Sequence, residues 1–493
     1  MTSILRMSAI TSLALLALAI MALCASTPAV AQIEASALDP ERPWAAEGDR
    51  LLAEGQFAAA ENVYVQLSAE HGQDAGLWTR IAWARLQQRQ LAGAIEAAVR
   101  ATELEPQDLD AILMRAQCEA AAGDAKAAAT TLQKGLDIRP GDQALMESLA
   151  ATFIALERWP EAAGLLRELI RMNPEEASYY MDLGRILLTG GEYGEAVAAF
   201  GQARIQGADG AQALAMTGKA HLAAGQWAQA RSEFDQSIAI HPTADAYGGL
   251  ATIQYLEGDP EAALAGFRRA VQLAPRDADL QFNLANILIQ TGDPERAERA
   301  YRTSLQLDPG SAEAHLNLAI LLLNRFEIAE AEQHLRVATQ ADPGLPGPWL
   351  HLARIAGARF EFDASRRNYE RYRELVQDPD EQSRIDEVLL ELDSQVDASR
   401  AAVARGEIHL LQARVADQAT ASEMIDRVRR GADFFLLASE YGDLGERGAV
   451  DAGFMDPASA GDAFRAEISS LDVGQMTGPI PVGELWFVFM RVE

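Results

Sequence analysis

Proline recurs in this chain with a fixed beat. It stands at Pro106, Pro140 and Pro174, then at Pro242, Pro275, Pro309 and Pro343, with spacings of 34, 34, 68, 33, 34 and 34 residues. The gap of 68 is one missed beat, with Ala208 at the expected place. A period of this length means one supersecondary unit repeated along the chain. No unit can bury its apolar face alone, so neighbours have to stack. Within residues 312–343, Leu318, Leu322 and Leu323 share one face of a first helix. A turn follows near Phe326, and Ala331, Leu335 and Ala338 fall at helical spacing in a second helix. Proline suits the end of that second helix because it cannot continue one.

Small residues recur at the eighth position of the units: Gly48, Ala82, Ala116, Ala150, Gly184, Gly218, Ala251, Ala285, Ala319 and Ala353. Two helices crossing closely require a small side chain there. Alanine recurs at the twentieth position, as in Ala162, Ala196, Ala230, Ala263 and Ala297, and glycine ends many first helices, as at Gly55, Gly123, Gly191, Gly225, Gly258 and Gly292. This pattern resembles the tetratricopeptide repeat. Ten units fit between residues 41 and 377. The expected fold class is mainly α: a tetratricopeptide-repeat α-solenoid followed by a small α+β domain. The resemblance implies a right-handed superhelix with first helices lining its concave side. Residues 378–404 lose the repeat signature but keep helical spacing through Ile385, Leu389 and Leu392. They read as a capping and linker helix that covers the last repeat.

A concave face of first helices is a groove for an extended peptide or a partner helix. An asparagine there can hold a ligand's backbone amide through both its carbonyl and its amino group. Asn283 and Asn317 are 34 residues apart, one above the other in a stack, and Asn286 follows Asn283 by one turn. These three are the candidate peptide-binding residues. The bland alternative is that they are ordinary solvated helix residues.

From Glu407 the period changes. "EIHLLQARV" reads as a strand, and two helical segments follow in residues 419–442, broken at Gly431. A glycine-rich loop, "GDLGERGAVDAGF", leads to a third helix and then to two β-prone runs. The expected order over residues 405–493 is β-α-α-α-β-β. This segment resembles a parvulin-type peptidyl-prolyl isomerase. "IHLL" is similar to that family's opening strand, "GADFFLLASEYG" to its helical motif, and "GQMTGPI" to the turn before its closing hairpin.

The resemblance implies rotation about X-Pro bonds, whose barrier is about 18–20 kcal/mol. It also implies a floor of two hydrogen-bonded histidines with a Cys or Asp at the loop entrance. His409 stands at the first histidine position and Asp443 at the Cys/Asp position; both are the catalytic candidates. Phe454, Phe464 and Phe487 are the candidates for the proline pocket. The second histidine is replaced by Phe487, a pocket methionine by Ala460, and hairpin hydroxyls by Val482 and Glu484. Two readings stay open: a weak isomerase that uses an apolar slot, or an inactive relative in which His409 is a satisfied core residue. No H-E-x-x-H, C-x-x-C or G-x-S-x-G occurs, and the seven histidines are dispersed. The sequence therefore points to no metal and no cofactor.

The N-terminal "MTSILRMSAITSLALLALAIMALCASTPAVAQ" reads as a secretory signal over residues 1–31, cleaved before Gln32, with a linker over residues 32–40. Cys24 follows Leu23, where lipoprotein cleavage favours a small residue. After cleavage only Cys118 remains, so no intrachain disulfide forms. The formal charge of −30 argues against nucleic acid, which needs a basic surface, and against anionic membranes. The expectation is a periplasmic or secreted protein that binds a protein or peptide client, without stable membrane insertion. An uncleaved signal tethering it to a membrane is the alternative location, and a non-catalytic assembly scaffold is the alternative function.

Overall fold

Each beat of the period folds as a pair of helices joined by a tight turn. The computed structural model describes residues 42–359, 361–429, 434, 437, 449–482 and 485–492. The proposed signal and linker, Asp443 and Glu484 lie outside the described residues, as does most of the second helical segment expected after Gly431. The chain divides into two compact units, one ending at Pro275 and one starting at Arg276.

The first unit holds seven pairs among its described residues, from Ala46–Ala53 with Phe57–His71 to Ala244–Leu256 with Pro260–Leu273. Aspartates before several helices cap them: Asp108, Asp124, Asp142, Asp209 and Asp259 each accept a hydrogen bond from a backbone N–H of the first turn. The turn inside a pair needs a residue at positive φ. Gly55, Gly123, Gly191, Gly225 and Gly258 supply it in this unit. The second and fourth repeats place Arg89 and Glu157 there instead, at φ of 58° and 56°, a conformation that costs a residue with a Cβ roughly 1–2 kcal/mol.

The small eighth position has a visible cause. A Cβ on Gly184 would stand 2.5 Å from the Phe200 ring, and one on Gly218 would stand 2.6 Å from the Phe234 ring. Each aromatic comes from the second helix of the same repeat and fills the space the missing side chain leaves. Phe234 is also met from the next repeat, where a Cβ on Gly249 would lie 2.1 Å away. One ring thus joins two repeats through two glycines. The first repeat is tied to the second differently. The Tyr64 hydroxyl donates to Asp49 at 2.6 Å and Nε of Arg80 donates to the same carboxylate at 2.8 Å, with all three side chains buried.

The second unit holds three further pairs: Ala278–Gln290 with Pro294–Leu307, Ala312–Leu323 with Ile328–Ala341, and Pro346–Ala358 with Phe362–Leu375. Phe326 occupies the turn of the middle pair at φ 61°. The long helix Pro379–Ala404 then runs back along Phe362–Leu375, with Ile385, Leu392, Val396 and Ala402 buried. Ion pairs Arg373–Asp386, Arg366–Asp393 and Asp363–Arg400 set its register.

The chain ends in a four-stranded antiparallel sheet. Its strands are β1 (Ile408–Val415), β2 (Ala449–Met455), β3 (Ile480–Val482) and β4 (Leu485–Arg491), in the order β2-β1-β4-β3. The expected order had three strands and a loop up to Phe454. The structure corrects this: the end of the glycine-rich segment is β2, paired along β1 with a bulge between Leu410 and Leu411. Its glycines and lack of clean alternation hid a strand that exists through its partner. Helix Gln418–Arg429 covers one face, against Leu411, Ala413, Val415 and Val488. Helix Asp462–Ser469 covers the other, where Ile408, Leu410, Ile468 and Phe489 form a second core.

Candidate functional site

The strand register decides what the candidate isomerase residues can do. Direct partners across an antiparallel pair project to the same face. Phe487 on β4 is paired with Arg414 on β1, and the Arg414 guanidinium lies 5.7 Å from the centre of the Phe487 ring. Phe464 meets Phe487 at 6.1 Å and Phe489 at 5.3 Å between ring centres. Phe464, Phe487 and Arg414 make one half-buried patch over the buried Phe489.

His409 is elsewhere. It precedes Arg414 by five residues, about 16 Å along a strand, and alternation turns it to the opposite face. It is 2% exposed, with its ring 4.5 Å from Phe454 on β2 and 6.5 Å from Phe362 on the second helix of the tenth repeat. The expectation that His409 and the residue at position 487 form the floor of one slot therefore does not hold. The residue that faces position 487 is Arg414. Of the four described candidates, the structure brings Phe464 and Phe487 together, and separately His409 with Phe454. Position 443 lies outside the described residues. Arg414 was missed because a single arginine in an apolar strand carries no motif.

The asparagines of the eighth and ninth repeats are placed less openly than their spacing implies. Asn283 is 4% exposed and Asn286 5%. Oδ1 of Asn286 accepts from the Tyr301 hydroxyl at 2.6 Å and from Nδ2 of Asn317 at 3.0 Å. Asn317 alone of the three is half-buried rather than buried, and its amide N–H is engaged by Asn286. Helical spacing assigns a face, but the neighbouring repeat decides how much of that face stays open.

A cleft of about 280 Å³ lies between the second helix of the ninth repeat and the two helices of the tenth. Trp349 and Leu352 form its apolar side, and Arg336, Arg359 and Arg367 line its rim beside Glu332 and Glu361. Nη1 of Arg359 reaches Glu332 at 2.6 Å. No motif announces this cleft, since three helices contribute to it.

Repeated helix pairs with small crossing residues and aromatic fillers define a helical-repeat protein of the kind that presents an extended surface. The tetratricopeptide repeat family matches residues 45–102, 79–143, 148–211, 215–278 and 282–346, and a second tetratricopeptide repeat description matches residues 254–303. The chain belongs to the tetratricopeptide repeat family. The comparison with curated proteins found no match.

Among solved structures, the chain is similar to the Cut9–Hcn1 hetero-tetramer of APC/C at 17% identity, covering 57% of this chain and 56% of that one, with a TM-score of 0.38. It thus spans little more than half the length of that relative. A tetratricopeptide repeat protein of Parabacteroides merdae is 15% identical over 49% of this chain and 96% of that one, with a TM-score of 0.39. Yeast Tom70 is 15% identical over 71% and 95%, with a TM-score of 0.36.

Proposed function

We propose that this chain is a protein-binding scaffold whose repeats hold a polypeptide partner, and that residues 405–493 are a parvulin relative that grips proline-containing segments without isomerising them. The parvulin reading is supported by the motif order in the sequence and by the aromatic wall of Phe464, Phe487 and Phe489 beside a buried sheet core. The observation that carries the non-catalytic half is the pairing of Phe487 with Arg414. A histidine pair needs two rings within hydrogen-bond reach. Here one place holds a phenylalanine and the residue facing it is an arginine. Neither can stand in for an imidazole that both donates and accepts a proton.

A panel of proline-containing peptides tests this. The full chain is expected to bind some of them by fluorescence anisotropy, while cis/trans exchange of the bound peptides stays at the uncatalysed rate, roughly 10–100 s. Acceleration beyond that would overturn the non-catalytic reading, and no binding by any peptide would overturn the gripping role.

We also infer that the protein is exported, from the charged start, apolar run and small residues at Ala29–Ala31. N-terminal sequencing of the mature protein is expected to begin at Gln32. A start at the initiator methionine would favour the membrane-tethered alternative.

A further inference from the structure

Two histidines of the ninth repeat meet ring to ring. His315 lies on helix Ala312–Leu323 and His334 on helix Ile328–Ala341, with their Nδ1 atoms 2.8 Å apart. Nε2 of His315 is 3.2 Å from the Pro309 carbonyl. A carbonyl only accepts, so that nitrogen carries a hydrogen, and in a neutral ring Nδ1 of His315 is then bare. The 2.8 Å contact needs one donor. Nδ1 of His334 therefore carries its hydrogen, and Nε2 of His334 is left bare, 3.7 Å from Oε1 of Glu330 one turn earlier on the same helix.

We propose that this pair is an acid-sensitive latch between the two helices of the ninth repeat, closed while His315 is neutral and open once both rings are charged. A first proton fits the arrangement. It goes to Nε2 of His334, beside the Glu330 carboxylate, and leaves the Nδ1–H···Nδ1 bond intact. A second proton has only Nδ1 of His315 to bind. That step puts two N–H donors and two positive rings against each other, with ring centres 5.0 Å apart and planes tilted by 37°.

The charged groups that face the pair are few. Glu330 sits beside His334, Arg302 reaches Glu330 at 2.8 Å from the second helix of the eighth repeat, and Asp308 lies in the turn before His315. Burial pushes both rings below the ordinary histidine range. For His315 the Pro309 carbonyl and Asp308 oppose this. For His334 the neighbouring His315 and Arg302 add to it and Glu330 opposes it. The unfolded chain thus binds protons that the folded one refuses. The stability the pair contributes is complete above the unfolded value of about 6.5 and is lost as pH falls below it.

The test uses the full chain. Ring-nitrogen NMR of histidine-labelled protein near pH 7.5 is expected to find one of the seven histidines as the Nδ1–H tautomer, bonded to another in the Nε2–H form. Amide exchange of residues 312–341, corrected for intrinsic rate, is expected to be at least about tenfold faster at about pH 5 than at about pH 7.5. His334→Gln can still donate to Nδ1 of His315 and does not titrate, so its exchange is expected to lose that acceleration. Both rings in the Nε2–H form, no acid acceleration, or acceleration that persists in His334→Gln would each overturn the latch. Should that variant fail to fold, the tautomers of the unchanged protein decide.

Discussion

Phe234→Ala is expected to cost roughly 3–5 kcal/mol, the range for removing a buried aromatic ring. Phe234 is fully buried. It is held from both sides, by Gly218 of its own repeat and Gly249 of the next, and neither position has a side chain that could move into the cavity. Two interfaces of the repeat stack therefore lose their filler at once, and nearest-neighbour interfaces dominate the stability of such stacks. Urea unfolding read by amide exchange in residues 210–273 checks this locally, which matters because a long repeat array need not unfold in one step. A loss under about 1 kcal/mol would mean that the ring does not couple the two repeats.

His409→Ala is expected to leave proline isomerisation by the full chain unchanged and to destabilise the second unit by roughly 2–4 kcal/mol, as for a large-to-small core change. The ring is buried between Phe454 of β2 and Phe362 of the tenth repeat, so its removal opens the contact of the sheet with the last repeat. Amide exchange should rise together in residues 362–375 and 408–415. His409→Phe keeps a ring in the slot and is expected to lose less than half as much. A fall in isomerisation rate in His409→Ala with exchange unchanged would restore a catalytic role to this histidine and remove the docking one.

The two variants mark where sequence reading reached and where it stopped. Gly218 was legible as a crossing position because a small residue, glycine or alanine, recurs at the eighth place of every unit. Gly249 was not, since its place in the repeat holds Asn283 and Asn317 in the next two units and owes its glycine to a ring from the preceding repeat. Asn283, Asn286 and Asn317 were legible as one stacked face. The burial of Asn283 and Asn286 was not, because helices of the same and the next repeat, through Tyr301 and Asn317, close around Asn286. Phe464 and Phe487 were read as one pocket and are together. His409 was assigned to the same pocket and belongs to another face, and β2 was read as loop.

By itself, then, the sequence determined that the chain is mainly helical, built from repeated helix pairs of the tetratricopeptide family, and where small residues must stand within each pair. That information is local and written many times over, so every unit restates it. Tertiary structure alone decided which residues share a site. Arg414 came to face Phe487 and His409 came to lie between Phe454 and Phe362 through strand register. Register is a long-range choice of hydrogen-bond partners, made once, and a shift of one residue exchanges the two faces.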